Sequence, residues 1–170
     1  MATTRPAGTT SDADTFLHVQ AKRAGKIKGE ASTQGHVDDI EVRSWTWGVS
    51  SAAAIGSTQA TGKRQYKHLA VVKGIDSAST GLLAALATND EIKEAKLTLR
   101  KAGGDALDYY TMTLGEARIV AIDIAVDEQG RPTETVALAY ARIEIEYKRQ
   151  QATGISGAST SFSDEVISAS

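Results

Sequence analysis

The sequence predicts a mainly β protein: a small β-barrel of two packed sheets with one flanking α-helix. Three observations carry this. In Ala95–Lys101 the apolar Ala95, Leu97 and Leu99 alternate with Lys96, Thr98 and Arg100, the period of a half-buried strand. In Thr135–Lys148 one face is Ala137, Ala139, Ala141, Ile143 and Ile145, while the other turns from Val136, Leu138 and Tyr140 to Arg142, Glu144 and Glu146. A strand covered on both sides at one end and on one side at the other suits a curling sheet, or one that meets a neighbouring subunit. Helical spacing is found at Ser79–Asn89, where Leu82, Leu83 and Leu86 make a packing stripe.

The elements follow in order. Thr15–Ala21 is a short, half-apolar strand, and Val37–Gly48 gathers Ile40, Val42, Trp45 and Trp47 in a run rich in β-formers. Val49–Gly62, almost wholly Ser, Ala, Gly, Thr and Gln, has no apolar period and reads as a long exposed loop. Arg64–Ile75 is a strand around Leu69, Val71 and Val72. Asp76, Ser77 and Ser79 can cap the helix by accepting its free amide hydrogens, and Asn89 can stop it. Gly103-Gly104 supplies a hairpin turn. Asp108–Leu114 and Glu116–Val126 are strands with Gly115 as a bulge between them. Ile119–Val126 is apolar on both faces, which predicts burial on both sides, and Asp127–Pro132 is a turn. The expected core includes Trp45, Trp47, Leu82, Leu86, Leu97 and Leu99.

At 170 residues the chain suits one domain, residues 15–150, between a polar N-terminal arm (1–14) and a polar C-terminal tail (151–170). Both ends read as flexible from composition. Nineteen Lys and Arg against 21 Asp and Glu give no basic excess for nucleic acid. Cysteine is absent, which removes disulfides, thiolate metal sites and a Cys nucleophile. No apolar run approaches the roughly 20 residues of a membrane span, and the polar first residues lack the apolar region of a secretory signal.

Chemistry is sparse. His18, His36 and His68 lie far apart without metal-ligand spacing and read as surface or structural residues. Asp38-Asp39 and Glu144/Glu146 are carboxylate pairs of the kind common on solvated strands. Lys63-Arg64 with Lys67 and Lys73 reads as a solvated strand edge. No G-x-S-x-G elbow occurs. The sequence therefore predicts a protein that is not an enzyme and needs no cofactor or metal.

At the Trp pair the chain resembles a known family. Gly29-Glu30 followed by Asp39-Ile40-Glu41-Val42-Arg43-Ser44-Trp45-Thr46-Trp47-Gly48, then Lys73-Gly74-Ile75-Asp76-Ser77-Ala78-Ser79, is similar to the haemolysin-coregulated protein (Hcp) family of bacterial type VI secretion. Leu97-Thr98-Leu99-Arg100-Lys101-Ala102-Gly103-Gly104 resembles its most characteristic segment, and Thr133-Glu134-Thr135-Val136 with Glu144-Ile145-Glu146-Tyr147-Lys148 its closing strand. Gly81 departs from it, since a Pro is frequent in the family near Thr80-Gly81.

The resemblance implies a ring-forming β-barrel. Homo-hexamers would stack into an inner tube, expelled by a contractile sheath with a spike (VgrG-like) protein, and carry and protect effector proteins in the lumen. The subunit would assemble in the cytoplasm and be secreted without a signal peptide, with no nucleic acid bound and no membrane insertion. It also implies that the loop containing Ala52, Ala53, Ala54, Ile55, Gly56 and Ser57 reaches the next ring. If Trp45 and Trp47 fill the core, Ser44 and Thr46 turn outward, toward the lumen. Two other readings are the tube protein of a phage-tail-like injection particle and a soluble β module that binds a ligand through the two tryptophans.

Overall fold

The structure is a computed structural model that describes residues 13–51, 64–101, 107–150 and 156–166. Its elements are β1 (Ala13–Ala21), β2 (Gly25–Lys26), β3 (Ile40–Val42), β4 (Ser44–Thr46), β5 (Val49–Ser51), β6 (Arg64–Tyr66), β7 (Leu69–Lys73), α1 (Ser79–Ala87), β8 (Ile92–Lys101), β9 (Asp108–Val126), β10 (Pro132–Ala139), β11 (Arg142–Gln150) and β12 (Ser156–Glu165). The protein is mainly β with one short helix.

Ten strands form one antiparallel sheet in the order β2-β1-β8-β9-β10-β7-β4, with β3 on β1, β11 on β9 and β12 on β11; β5 and β6 form a separate hairpin. The expected closure into a barrel is therefore not seen in the ladder, which runs through β9 from one group of strands to the other. Among the described residues the hydrogen-bonded path is open, and its two ends are joined by the chain itself. Ile40 and Val42 of β3 pair with Leu17 and Thr15 of β1, whereas Ser44–Thr46 of β4 pair with Val72–Ala70 of β7. The change of partner falls at Arg43, whose N–H bonds the Val72 carbonyl at 2.7 Å although Ser44 already faces Val72. Two residues opposite one make a bulge and a bend. The side chains record it, since Ile40 and Val42 are buried in β3 and the half-buried residue in β4 is Trp45.

β9 is one 19-residue strand, not two. Its first part pairs with β8 and β11, and its last part with β10. The residue of unusual backbone is Glu116, at φ 48°, rather than the expected Gly115. Glu116 forms an ion pair with Arg142, just where β9 exchanges β11 for β10.

The core is built from Leu17, Val19, Ile40, Leu69, Val71, Leu82, Ile92, Leu97, Met112, Leu114, Val136 and Leu138, all of which are buried. Each such aliphatic side chain contributes about 1.5–3 kcal/mol. The helix lays Ser79, Leu82 and Ala85 into this core, with Leu86 partly buried. Leu83, expected in the stripe, is 42% exposed, because residues three and four apart share a helix face and neighbours do not. Asp76 Oδ1 accepts the Ala78 N–H at 3.0 Å and Ser79 Oγ accepts the Asp76 N–H at 3.0 Å. Capping thus sits in the turn before the helix, and no side chain caps the helix from Ala78 itself. Asn89, at φ 54°, turns the chain out of the helix as expected.

Two further expectations change. The C-terminal segment is not a flexible tail over Ser156–Glu165, which pairs along β11 as β12. The second half of β9 is not covered on both sides within one chain, since Val120, Ile124 and Val126 are 45%, 53% and 65% exposed. The N-terminal residues 1–12 and the Gly103-Gly104 turn lie outside the described residues.

Candidate functional site

The Arg43 bend decides what β4 presents. Ser44 and Thr46 are exposed, while Trp45 and Trp47 are half-buried and pack against the core. Trp45 stacks on Tyr110 with centroids 6.1 Å apart. The Trp47 indole N–H donates to the Tyr140 hydroxyl at 2.5 Å, and that hydroxyl donates to the Lys67 carbonyl at 2.8 Å. Leu82 and Leu97 are fully buried; Leu86 and Leu99 are partly buried and pack against the core. Ser44 lines a cleft of about 1060 Å³ together with Glu30, Glu41, Arg43, Trp45 and Asp76; Thr46 does not.

Ala52, Ala53, Ala54, Ile55, Gly56 and Ser57 lie outside the described residues. The hairpin that leads to them is described: β5 pairs with β6 from Val49↔Tyr66 to Ser51↔Arg64. Its base is held by the C-terminal strand, for Asp164 of β12 accepts from the Tyr66 hydroxyl and ion-pairs with Arg64 Nε at 2.9 Å. The Tyr66 hydrogen bond, with the nearby charge of Arg64 and the Glu165 N–H, holds the Asp164 carboxyl below the ordinary carboxylate range despite partial burial.

Two buried ionic clusters escaped the sequence reading. Lys73, expected on a solvated edge, is fully buried. Its Nζ lies 2.9 Å from Asp76 Oδ1, 3.1 Å from Ser79 Oγ and 3.4 Å from Glu134 Oε1. Neither Glu134 carboxylate oxygen receives a hydrogen bond. Asp39, expected on a solvated strand, and His36 are also buried. His36 Nδ1 is 2.9 Å from Asp39 Oδ2 and Nε2 is 3.0 Å from Asp108 Oδ2. Asp39 further meets Lys26 Nζ and His18 Nδ1, each at 3.2 Å, and Asp108 accepts from Arg100 Nε at 2.8 Å.

Burial pushes the Asp39 carboxyl up, but hydrogen bonds from His36, Lys26 and His18 outweigh it and hold the group below its ordinary value. At Asp108 burial is likewise outweighed, here by Arg100 and His36. The signal in the sequence was spacing across the fold: charged residues at Lys26, His36, Asp39, Arg100 and Asp108 meet only once β1, β8 and β9 pair.

Among the described residues no group of three His, Cys, Asp or Glu is placed to hold a metal. None of the helices described is long and apolar enough to cross a membrane.

Comparison with known proteins gives this arrangement its class. Residues 16–147 match the family described as "Type VI secretion system effector, Hcp". The protein hcp1 of Pseudomonas aeruginosa is 32% identical over 136 residues, covering 78% of this chain and 84% of that protein. Among solved structures, Hcp1 from Salmonella typhimurium superposes with a TM-score of 0.71 at 27% identity, over 91% of this chain and 95% of the other. A variant of Hcp1 from the E. coli EAEC 042 pathovar shares the fold with a TM-score of 0.73 at 22% identity, over 90% and 99% of the two chains. The class is a non-enzymatic, structural β protein of bacterial secretion. The chain belongs to the Hcp family of type VI secretion proteins, a family of exported proteins.

Proposed function

We propose that this chain is the subunit of a type VI secretion inner tube, closing into hexameric rings that stack and are driven out by a contractile sheath. Its partners would be further copies of itself, the sheath, a spike (VgrG-like) protein and effectors held in the lumen. The observation that carries the reading is family membership over residues 16–147. Exposed Val120, Ile124 and Val126 support it, because a ring needs a subunit to offer apolar surface to its neighbour. In this reading Ser44 and Thr46 face the lumen, where small hydroxyl side chains leave room for cargo. Ala52–Ser57 would touch the next ring, from a hairpin fixed at its base by Asp164. The subunit then leaves the cell through the apparatus it helps to build. Native mass spectrometry of the full chain tests this: hexamers are expected at micromolar concentration, with stacked rings by electron microscopy, and monomers alone would refute it.

A further inference from the structure

One face of the sheet is left open by the described chain. Register places Ser44, Val72, Thr135 and Asp123 side by side in one row across β4, β7, β10 and β9. Thr46, Ala70, Ala137 and Ala121 form the next row. Residues directly opposite one another share a face, as do residues two apart, so both rows point the same way. Behind them Trp45, Val71, Val136 and Ile122 make a row that faces the core. There Val71 and Val136 are fully buried, in one cluster with Leu82 of the helix. On the front, Ser44, Thr46 and Asp123 are exposed, and the residues between them are only partly buried.

Asp123 is the one charged side chain in these two rows. Strands disfavour Asp, and an exposed Asp in mid-strand gains nothing from burial. The cations bordering the face are engaged elsewhere. Arg118 donates to the Asn89 carbonyl at 2.6 Å, Arg43 to the Pro132 carbonyl at 3.4 Å, and Arg131 pairs with Asp127 at 3.0 Å. Asp123 is thus left without an ion pair among the described residues.

Within the proposed ring, where this is the face of Ser44 and Thr46, we infer that Asp123 selects cargo: the open face takes proteins that present lysine or arginine and rejects acidic ones. Ser44 and Thr135 in the same row both donate and accept hydrogen bonds, so they suit varied surfaces, whereas the carboxylate only accepts. Three strand spacings of about 4.8 Å separate Ser44 from Asp123, so both lie under one small protein. Each copy repeats the carboxylate, and weak single contacts add up to a selective site.

A charge here has one other use. The outer half of β9 pairs only with β10 among the described residues, and a charge on an open edge blocks stray strand pairing. The experiment separates the two roles.

The full chain and its variants are first sized by native mass spectrometry. Two short labelled peptides, one of Lys, Arg and Ser and one of Asp, Glu and Ser, are then titrated by fluorescence anisotropy at low salt. The basic peptide should bind wild-type rings in preference to the acidic one, less tightly as salt rises. Asp123→Asn should weaken that binding by about tenfold, and Asp123→Lys should reverse the preference. Glu128→Gln makes the same charge change at an exposed position outside the rows, and should leave binding within about twofold. Rings whose binding ignores Asp123, or falls equally with Glu128→Gln, overturn the selection and leave the ring standing. Aggregation of Asp123→Asn with unchanged peptide binding overturns it too, and assigns the residue to edge protection. Monomers alone overturn the ring and the selection with it.

Discussion

Lys73 and Glu134 face each other across paired strands, both fully buried, with Nζ 3.4 Å from Oε1. They are register partners in the β7–β10 ladder, so the pairing of two strands fixes the pairing of two charges. Lys73 also reaches Asp76 and Ser79, which build the start of the helix. The pair thus couples the sheet to the helix entrance. Lys73→Met strands the Glu134 charge and is expected to lower stability by about 3–5 kcal/mol. Lys73→Met with Glu134→Leu should recover most of that loss, because an apolar pair of similar volume needs no charge partner. Urea unfolding of the three proteins checks it.

Acid should loosen the β2–β3 loop before the core. Asp39 and Asp108 both have folded pKa values held below the unfolded one, so each adds stability that is fully present at pH values above the unfolded pKa. That stability is lost as pH falls from about 4 through the lower folded values. The thermal midpoint should drop steeply in that window. In Asp108→Asn the midpoint should start lower at neutral pH and fall less steeply in acid.

The two β4 faces predict opposite outcomes. Thr46→Gln adds bulk at an exposed position and should leave stability unchanged within about 0.5 kcal/mol. On the proposed function, its effect is weaker capture of lumen-carried effectors, measured by co-purification with intact rings. Trp47→Ala should cost about 2–3 kcal/mol, less than the ~3–5 kcal/mol of a fully buried aromatic, because the ring is half-exposed. Trp47→Phe isolates the bond to Tyr140 and should cost about 1 kcal/mol.

Removing residues 151–170 uncovers the edge of β11 and releases Tyr66 and Arg64 from Asp164. An unpaired edge is a template for another chain. The truncated protein should stay folded yet self-associate beyond the full chain's assembly, as larger species by size-exclusion chromatography. Asp164→Asn in the full chain should weaken the hold on the β5–β6 hairpin without exposing that edge.

Local pattern made much of this architecture legible. The alternation of Ala95, Leu97 and Leu99 gave β8, and Asn89 marked the helix exit, because both signals act within a few residues. What stayed hidden depends on pairing over long separations. Thr98 and Arg100 looked solvated by alternation but are buried, Arg100 because Asp108 and Gln34 close over it. Lys73 looked like an edge lysine until Glu134, far along the chain, came opposite it. The C-terminal strand, with four serines and few β-formers, is a strand because β11 offers it a ladder along nearly its whole length. Alternation within β4 leaves Ser44 and Thr46 exposed, because the bend lies before them, at Arg43.

That bend has a meaning for how the chain can vary. Read without Arg43, the run Ile40-Glu41-Val42-Ser44-Trp45-Thr46-Trp47 alternates without a break, apolar residues on one side and polar on the other. Losing this one residue would misplace none of the four large side chains, and it would still be ruinous. A straight strand stays beside β1 and never crosses to β7, so the sheet would keep its composition and lose its second half's neighbour. Arg43 is thus an inserted letter whose side chain matters less than its presence: substitutions there should be tolerated, and deletion should not.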